Sequence, residues 1–241
     1  MRLIKWIVGM CLVASSASWA QEATIRKNLE ERLPQIQKID EINKSQVNGV
    51  YEVRVNGTEI LYTDSEANYL FQGSLIDLRQ RRNLTDERIE KLTAISFTDL
   101  PLKDAVVEVR GNGKRKVAVF ADPNCGFCKR FERDLEKVGD LTVYTFLYPI
   151  LGADSNEKSK NIWCAKDKAK AWQGWMLKNQ TPTALSAAAA ANCDNSAVLR
   201  NVELGRKLKI TGTPTLVFAD GVRVPGAINT AQIEKMLSDV K

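Results

Sequence analysis

The segment "VFADPNCGFCKRFE", residues 119–132, sets Cys125 and Cys128 three positions apart, behind an apolar run and ahead of a run of helical composition. Two thiols at that spacing can grip a metal, close a structural bridge, or exchange electrons with other thiols. On a helix, residues three apart share a face, so the pair reaches disulfide distance if Cys125 sits at the helix start. Asp122-Pro123-Asn124 supplies the break just before it. At a helix start, free backbone N–H groups and the helix dipole favour an anion, which lowers a thiol pKa and raises the share of thiolate, the actual nucleophile. Cys128, one turn further in, is then the thiol that attacks a mixed disulfide on Cys125. Cys125 and Cys128 are the candidate catalytic residues.

The two competing readings make different demands. A zinc site needs four ligands, usually from two short knuckles, and Cys164 and Cys193 are separated by 28 residues; no metal is expected. A purely structural Cys125–Cys128 bridge closes a very small loop, removes little unfolded-chain entropy and is a poor staple. A bridge between Cys164 and Cys193 would close about 30 residues, for which the chain-entropy model gives roughly 3.6 kcal/mol. The chain has no histidine, which excludes a Ser-His-Asp hydrolase, a Cys-His protease and every His-ligated metal centre.

The elements that position these thiols begin after a leader. Residues 1–20, "MRLIKWIVGMCLVASSASWA", place Arg2 and Lys5 ahead of an apolar stretch from Trp6 to Ala14, with small residues at Ser18 and Ala20, the pattern of a cleaved secretory signal peptide. The stretch is shorter than the roughly 20 residues of a membrane-spanning helix. Met10 stands before Cys11 where a lipoprotein leader needs a small residue. Cleavage leaves Cys125, Cys128, Cys164 and Cys193, an even number suited to two pairs in a compartment that tolerates disulfides. The 241 residues carry a formal net charge of +6, falling to +4 once Arg2 and Lys5 leave with the leader. The excess is spread out, and its densest block, "RQRRN" at 79–83, reads as a solvated linker rather than a nucleic-acid site. The mature length favours two domains.

Ile25, Leu29 and Leu33 recur at helical spacing until Pro34 stops the run. Val53 and Val55 then alternate with polar residues, Asn56-Gly57 supplies a type I′ turn, and residues 60–63 return as the second arm of a hairpin. Residues 69–78 add one or two strands. This small helix-plus-sheet unit has little apolar area to bury alone and suits a dimerisation module. "LTDERIEKLTAI" offers Thr85 or Asp86 as an N-cap and reads either as a linker helix or as the first helix of the next domain. Beyond it, residues 106–109 and 117–121 read as strands, 125–138 as a helix, 141–147 as a strand, and 154–204 as helical, with Trp163, Trp172 and Trp175 in that insertion's core. Residues 215–224 form a second hairpin around Asp220-Gly221, and Thr230 caps a last helix. Strand, helix, strand, helical insertion, hairpin and helix make an α/β pattern. Pro214 stands directly before a strand, where its missing donor matters least, and on its own it reads as an ordinary strand-entry proline.

"CGFC" after a strand, with "TGTPT" at 211–215 downstream, resembles the thioredoxin fold. With "WCAKDK" at 163–168 and "GTPTLVFADGVRVPG" at 212–226, nearly the whole mature chain resembles the periplasmic disulfide isomerases of the DsbC type. The resemblance implies an α/β thioredoxin-like fold with a helical insertion, plus a small N-terminal α+β dimerisation domain of cystatin-like form. The expected bounds are 1–20 for the signal peptide, 21–78 for the dimerisation domain, 79–98 for a linker helix and 99–241 for the catalytic domain. It further implies a cis Thr213-Pro214 bond facing the thiols and binding substrate, and a Cys164–Cys193 disulfide. Two chains would form a V with both sites facing one cleft. No cofactor is implied. The expected partners are misoxidised or unfolded exported proteins and a membrane disulfide reductase of the DsbD type that keeps the pair reduced, with chaperone activity beside isomerase and reductase activity. Phe127 stands where the family often has Tyr, so a hydroxyl that could tune the thiols is missing. A disulfide oxidase using the same thiols, and a holdase chaperone with incidental thiols, are the alternatives.

Overall fold

Helix α1 (Leu12–Arg32) buries Ile25 and Leu29 on one face and ends before Pro34, which has no N–H and cannot continue the ladder. The structure, a computed structural model, describes residues 12–240; the leader expected over 1–20 lies outside the described residues as far as residue 11. Among the described residues no helix is long and apolar enough to cross a membrane. The chain divides into two compact units, Met1–Thr93 and Ala94–Lys241.

In the first unit, β1 (Ile39–Lys44), β2 (Val50–Val55), β3 (Glu59–Asp64) and β4 (Leu70–Phe71) form an antiparallel sheet in that order. Asn56 and Gly57 both have the positive φ that a type I′ turn requires, 52° and 96°, and Thr58 joins them as a third loop residue because Val55 pairs with Glu59. Strand β1 is invisible to a search for alternation, since Ile39 and Ile42 are three apart. A shift in its pairing between Ile39 and Glu41 turns both into the core, as a bulge does. A short ribbon of β5 (Ile76–Asp77) and β6 (Arg82–Asn83) leads into α2 (Leu84–Thr93).

Helix α2 is fastened to the first unit's sheet. The Tyr62 and Thr85 hydroxyls are 2.5 Å apart, and Arg88 reaches Glu41 at 2.6 Å and Glu52 at 3.0 Å. Thr85 is therefore turned inward, and the side chain that accepts from the first turn is Asn83, which takes the Asp86 N–H at 3.2 Å.

The second unit runs β7 (Val106–Arg110), β8 (Arg115–Ala121), α3 (Gly126–Leu135), β9 (Leu141–Leu147), α4 (Ala153–Trp163), α5 (Lys168–Lys178), α6 (Ala187–Asn192), α7 (Ser196–Lys207), β10 (Thr215–Phe218), β11 (Arg223–Pro225) and α8 (Thr230–Asp239). The sheet order is β11-β10-β8-β9-β7. β8 and β9 are parallel, which a tight turn cannot connect, and α3 makes the crossover. β7 and β8 flank a short loop yet are not neighbours, because β9 lies between them.

Strand β8 is buried on both faces. Val117, Val119 and Ala121 pack with Phe131 and Leu135 of α3 and Ile233 of α8, while Ala118 and Phe120 pack with Phe146, Tyr148 and Ile210. Asn229 caps α8 through a reciprocal pair with Gln232. Thr230 instead donates its hydroxyl to the Asp134 carbonyl at 3.0 Å.

Candidate active site

Where β8 ends, residues 122–125 form a turn closed by the Cys125 N–H on the Asp122 carbonyl at 3.1 Å. Cys125 is the N-cap of α3, its backbone extended, and its Sγ accepts the Cys128 N–H at 3.3 Å. A sulfur thus occupies the position where a Ser or Asp oxygen usually serves, at the positive end of the helix. The Cys125 pKa is held down to about 5, chiefly by the hydrogen bond from the Cys128 side chain and against the opposing effect of burial, with Thr213 and the amides of Cys128 and Phe127 adding to the lowering. Burial, and then the neighbouring Cys125, push the Cys128 thiol up. Both cysteines are free.

Antiparallel pairing sets Thr215 of β10 opposite Phe120 of β8, so the residues preceding β10 arrive beside the turn that follows β8. The Thr213-Pro214 bond is cis. As a thiol, Cys125 donates to the Thr213 carbonyl at 3.2 Å, while the Pro214 carbonyl accepts the Gly226 N–H at 2.8 Å. Cys125, Cys128, Thr213 and Pro214 therefore meet at one point. Cys164 and Cys193 form a disulfide with Cα atoms 5.9 Å apart, joining the end of α4 to the segment before α7. Around the thiols, Phe127 is 61% exposed, Leu151 56% and Ile150 39%, an apolar rim beside the buried Cys125.

Two acidic side chains of the site escape the sequence reading. Asp122, which the motif suggests only as a chain breaker, is fully buried and accepts four hydrogen bonds: from the amides of Asn124, Ile150 and Leu151 and from the Ser155 hydroxyl, at 2.7, 2.7, 2.9 and 2.7 Å. It ties the turn carrying Cys125 to the loop after β9. Glu132, one helical turn beyond Cys128 and so on the same face, is also buried and accepts the Trp172 indole N–H at 2.8 Å. Burial pushes its carboxyl up to about 7, with Trp172 opposing, Glu108 adding and Arg110 opposing. The spacing from Cys128 is the one available signal that this carboxylate points inward.

A parallel strand pair with a helical crossover, a CxxC at a helix start and a cis-proline loop facing it are the parts of a thioredoxin-like domain. The chain belongs to that family: the thioredoxin-like domain matches residues 102–241, and the disulfide bond isomerase protein N-terminal domain matches residues 16–86. The likeness to DsbC-type proteins read from the sequence holds. Over 189 residues the chain is 47% identical to the probable thiol:disulfide interchange protein DsbC of Bordetella parapertussis, covering 78% of this chain and 65% of that one. The thiol:disulfide interchange protein DsbC of Escherichia coli is 28% identical over 209 residues, 84% of this chain and 82% of that one. A solved disulfide interchange protein from Neisseria gonorrhoeae is 44% identical, with a TM-score of 0.54, over 58% of this chain and 97% of that one.

Proposed function

We propose that this protein is a thiol:disulfide isomerase and reductase acting on misoxidised exported proteins in the periplasm. One observation carries the reading: an acidified thiol at a helix N-cap, a buried second thiol one turn inside, and a cis-proline loop against the first. The Cys125 thiolate attacks a substrate disulfide, forming Cys125–S–S–R and releasing R′–S⁻. Either a free substrate thiolate then attacks the mixed disulfide, re-pairs the substrate and returns Cys125 as thiolate, or Cys128 loses its proton, attacks Cys125 and releases R–S⁻. The first route isomerises and leaves the enzyme reduced. The second reduces the substrate and leaves a Cys125–Cys128 disulfide, which a membrane reductase of the DsbD type would reopen. Extended peptide would dock along the backbone at Thr213 and Pro214, as an added strand does. Cys164–Cys193 has a structural role.

The reading extends to a homodimer formed through residues 21–78. The first unit has an open sheet edge at β4 and exposes Tyr69, Leu70, Phe71, Ile76 and Leu78 around it, next to a groove of about 320 Å³ lined by Val47, Val50, Tyr62 and Phe71. Exposed apolar area of this kind is what a partner subunit covers. The apolar rim at Phe127, Ile150 and Leu151 supports binding of unfolded chains, and so a chaperone activity alongside exchange. The deciding experiment incubates reduced protein with a scrambled multi-disulfide protein and follows regain of the native fold. Catalytic recovery that disappears in Cys125→Ala is expected; equal recovery with that variant would refute the reading.

A further inference from the structure

The turn from Asp122 to Cys125 has a centre that can face two ways. The peptide joining the second and third residues of a β-turn points in opposite directions in types I and II. Here that peptide joins Pro123 to Asn124, and both its polar groups are held. The Pro123 carbonyl accepts the Trp175 indole N–H at 2.6 Å, and the Asn124 N–H donates to the Asp122 carboxylate at 2.7 Å. The first anchor comes from α5, 52 residues away in the chain.

The indole is itself fixed. Lys129 Nζ, from α3, lies 3.8 Å from the ring centroid, and Lys158 Nζ, from α4, lies 4.8 Å from it. Two ammonium groups this close repel, and burial together with Lys158 and Arg133 lowers the Lys129 pKa; an aromatic face offers both of them attraction. Each is tethered further. Lys129 donates to the Asn179 side-chain oxygen at 2.7 Å, and Lys158 pairs with Asp154, whose carboxylate accepts the Asn124 side-chain amide at 2.6 Å. Two helices thus grip a ring borne by a third, and the ring grips one carbonyl two residues before Cys125.

We propose that Trp175 is a positioning residue for Cys125: its N–H locks the Pro123–Asn124 peptide in one orientation, and that fixes the Cys125 sulfur where it caps α3. The proposal rests on the thiol-exchange reading above. A flip of the central peptide would change ψ of Pro123 and φ of Asn124 and break both anchors, loosening the turn whose closing residue is Cys125 and with it the hold of Sγ against the Cys128 amide. The helical insertion then serves the chemistry directly, by holding the turn, as well as packing over the sheet.

The test compares full-length reduced protein with Trp175→Phe, which keeps a ring between the lysines and removes the N–H. Alkylation of Cys125 at pH 5 should fall roughly threefold as its titration moves up. Exchange of the Asn124 amide, which belongs to the flipping peptide, should quicken by about tenfold. The melting temperature should hold within a few degrees, so a general loss of structure does not account for either change. An alkylation profile and an Asn124 exchange rate that both match the unaltered protein overturn the proposal. Should the variant fold poorly, the unaltered protein decides: the Trp175 indole proton resonance should shift as Cys125 titrates, and an indole resonance blind to that titration overturns the proposal as well. If no low-titrating thiol exists in the unaltered protein, the thiol-exchange reading itself fails, a result separate from any effect of Trp175→Phe.

Discussion

The sulfur of Cys125 lies 3.3 Å from the amide nitrogen of Cys128, so the backbone of the second cysteine stabilises a negative charge on the first. The same closeness works against Cys128, whose own ionisation would set a second negative charge beside the first in a buried place. A division of labour follows from one hydrogen bond and one turn of helix.

That division is measurable by alkylation. Cys125 should react with a midpoint of about 5, while Cys128 stays unreactive in the folded protein. Cys125→Ser should abolish reductase and isomerase activity together. Cys128→Ser should accumulate mixed disulfides on Cys125, seen as bands that dissolve on reduction, and keep part of the isomerase activity, because a substrate thiol can still displace the enzyme. Faster labelling of Cys128 would reverse the assignment.

The second pair concerns stability. Cys164 and Cys193 are 29 positions apart, and by the chain-entropy model their bridge contributes roughly 3.6 kcal/mol. Replacing both with Ala should therefore lower the melting temperature by several degrees, far more than reduction of Cys125–Cys128 lowers it. Calorimetry on the double variant, beside reduced and oxidised parent protein, is the check.

Glu132 predicts a pH dependence. Its folded pKa, about 7, stands above the ordinary carboxyl value of 4.5, so over that interval the folded state binds more protons than the unfolded state. Stability is full below about 4.5 and declines as pH rises to about 7, by up to roughly 3 kcal/mol. Glu132→Gln keeps an acceptor for Trp172 and cannot ionise. It should match the parent near pH 4 and exceed it at pH 8. Cys125 acts in the opposite sense, its lowered pKa adding stability to the reduced form as pH rises from about 5, so urea titrations should compare the two proteins in the oxidised state.

For the assembly, sedimentation separates the parts. Full-length protein should be a dimer at micromolar concentration, and Phe71→Asp, which puts a charge in the exposed apolar patch beside β4, should weaken it. Residues 94–241, which hold two buried clusters of their own, should be monomeric, reduce disulfides, and lose most isomerase activity. A monomeric full-length protein would remove the dimer proposal.

Much of the second unit is legible in the sequence because its central strands β8, β9 and β10 are buried on both faces and read as largely apolar runs: Leu141–Leu147 is delimited to the residue, and Cys125 falls at the helix start. The hairpin at Asn56-Gly57 is legible because left-handed backbone favours those residue types. Caps are harder. The sequence puts them at Thr85 or Asp86 and at Thr230, whereas tertiary contacts, Thr85 to Tyr62 and Thr230 to Asp134, draw the threonines away from the helix ends and leave the caps to Asn83 and Asn229. Strand β1 hides behind its bulge. Asp122, Glu132 and the N–H of Trp175 are illegible for another reason. Each matters through a partner 28 to 52 residues away, and no local period records such a pairing.

The carbonyl beside the nucleophile belongs to Thr213, 88 residues after Cys125. If the chain crosses the membrane as it is made, that stretch follows roughly 4 to 18 s later at ordinary rates of synthesis. Through that interval "CGFC" exists with neither its facing loop nor the strand that will seal that edge of β8. The two sulfurs meet across one turn of chain before Cys164 and Cys193 have both been made, so an oxidant arriving early finds only the near partner. Order of emergence thus favours two couples, Cys125 with Cys128 and Cys164 with Cys193, over any crossed pairing.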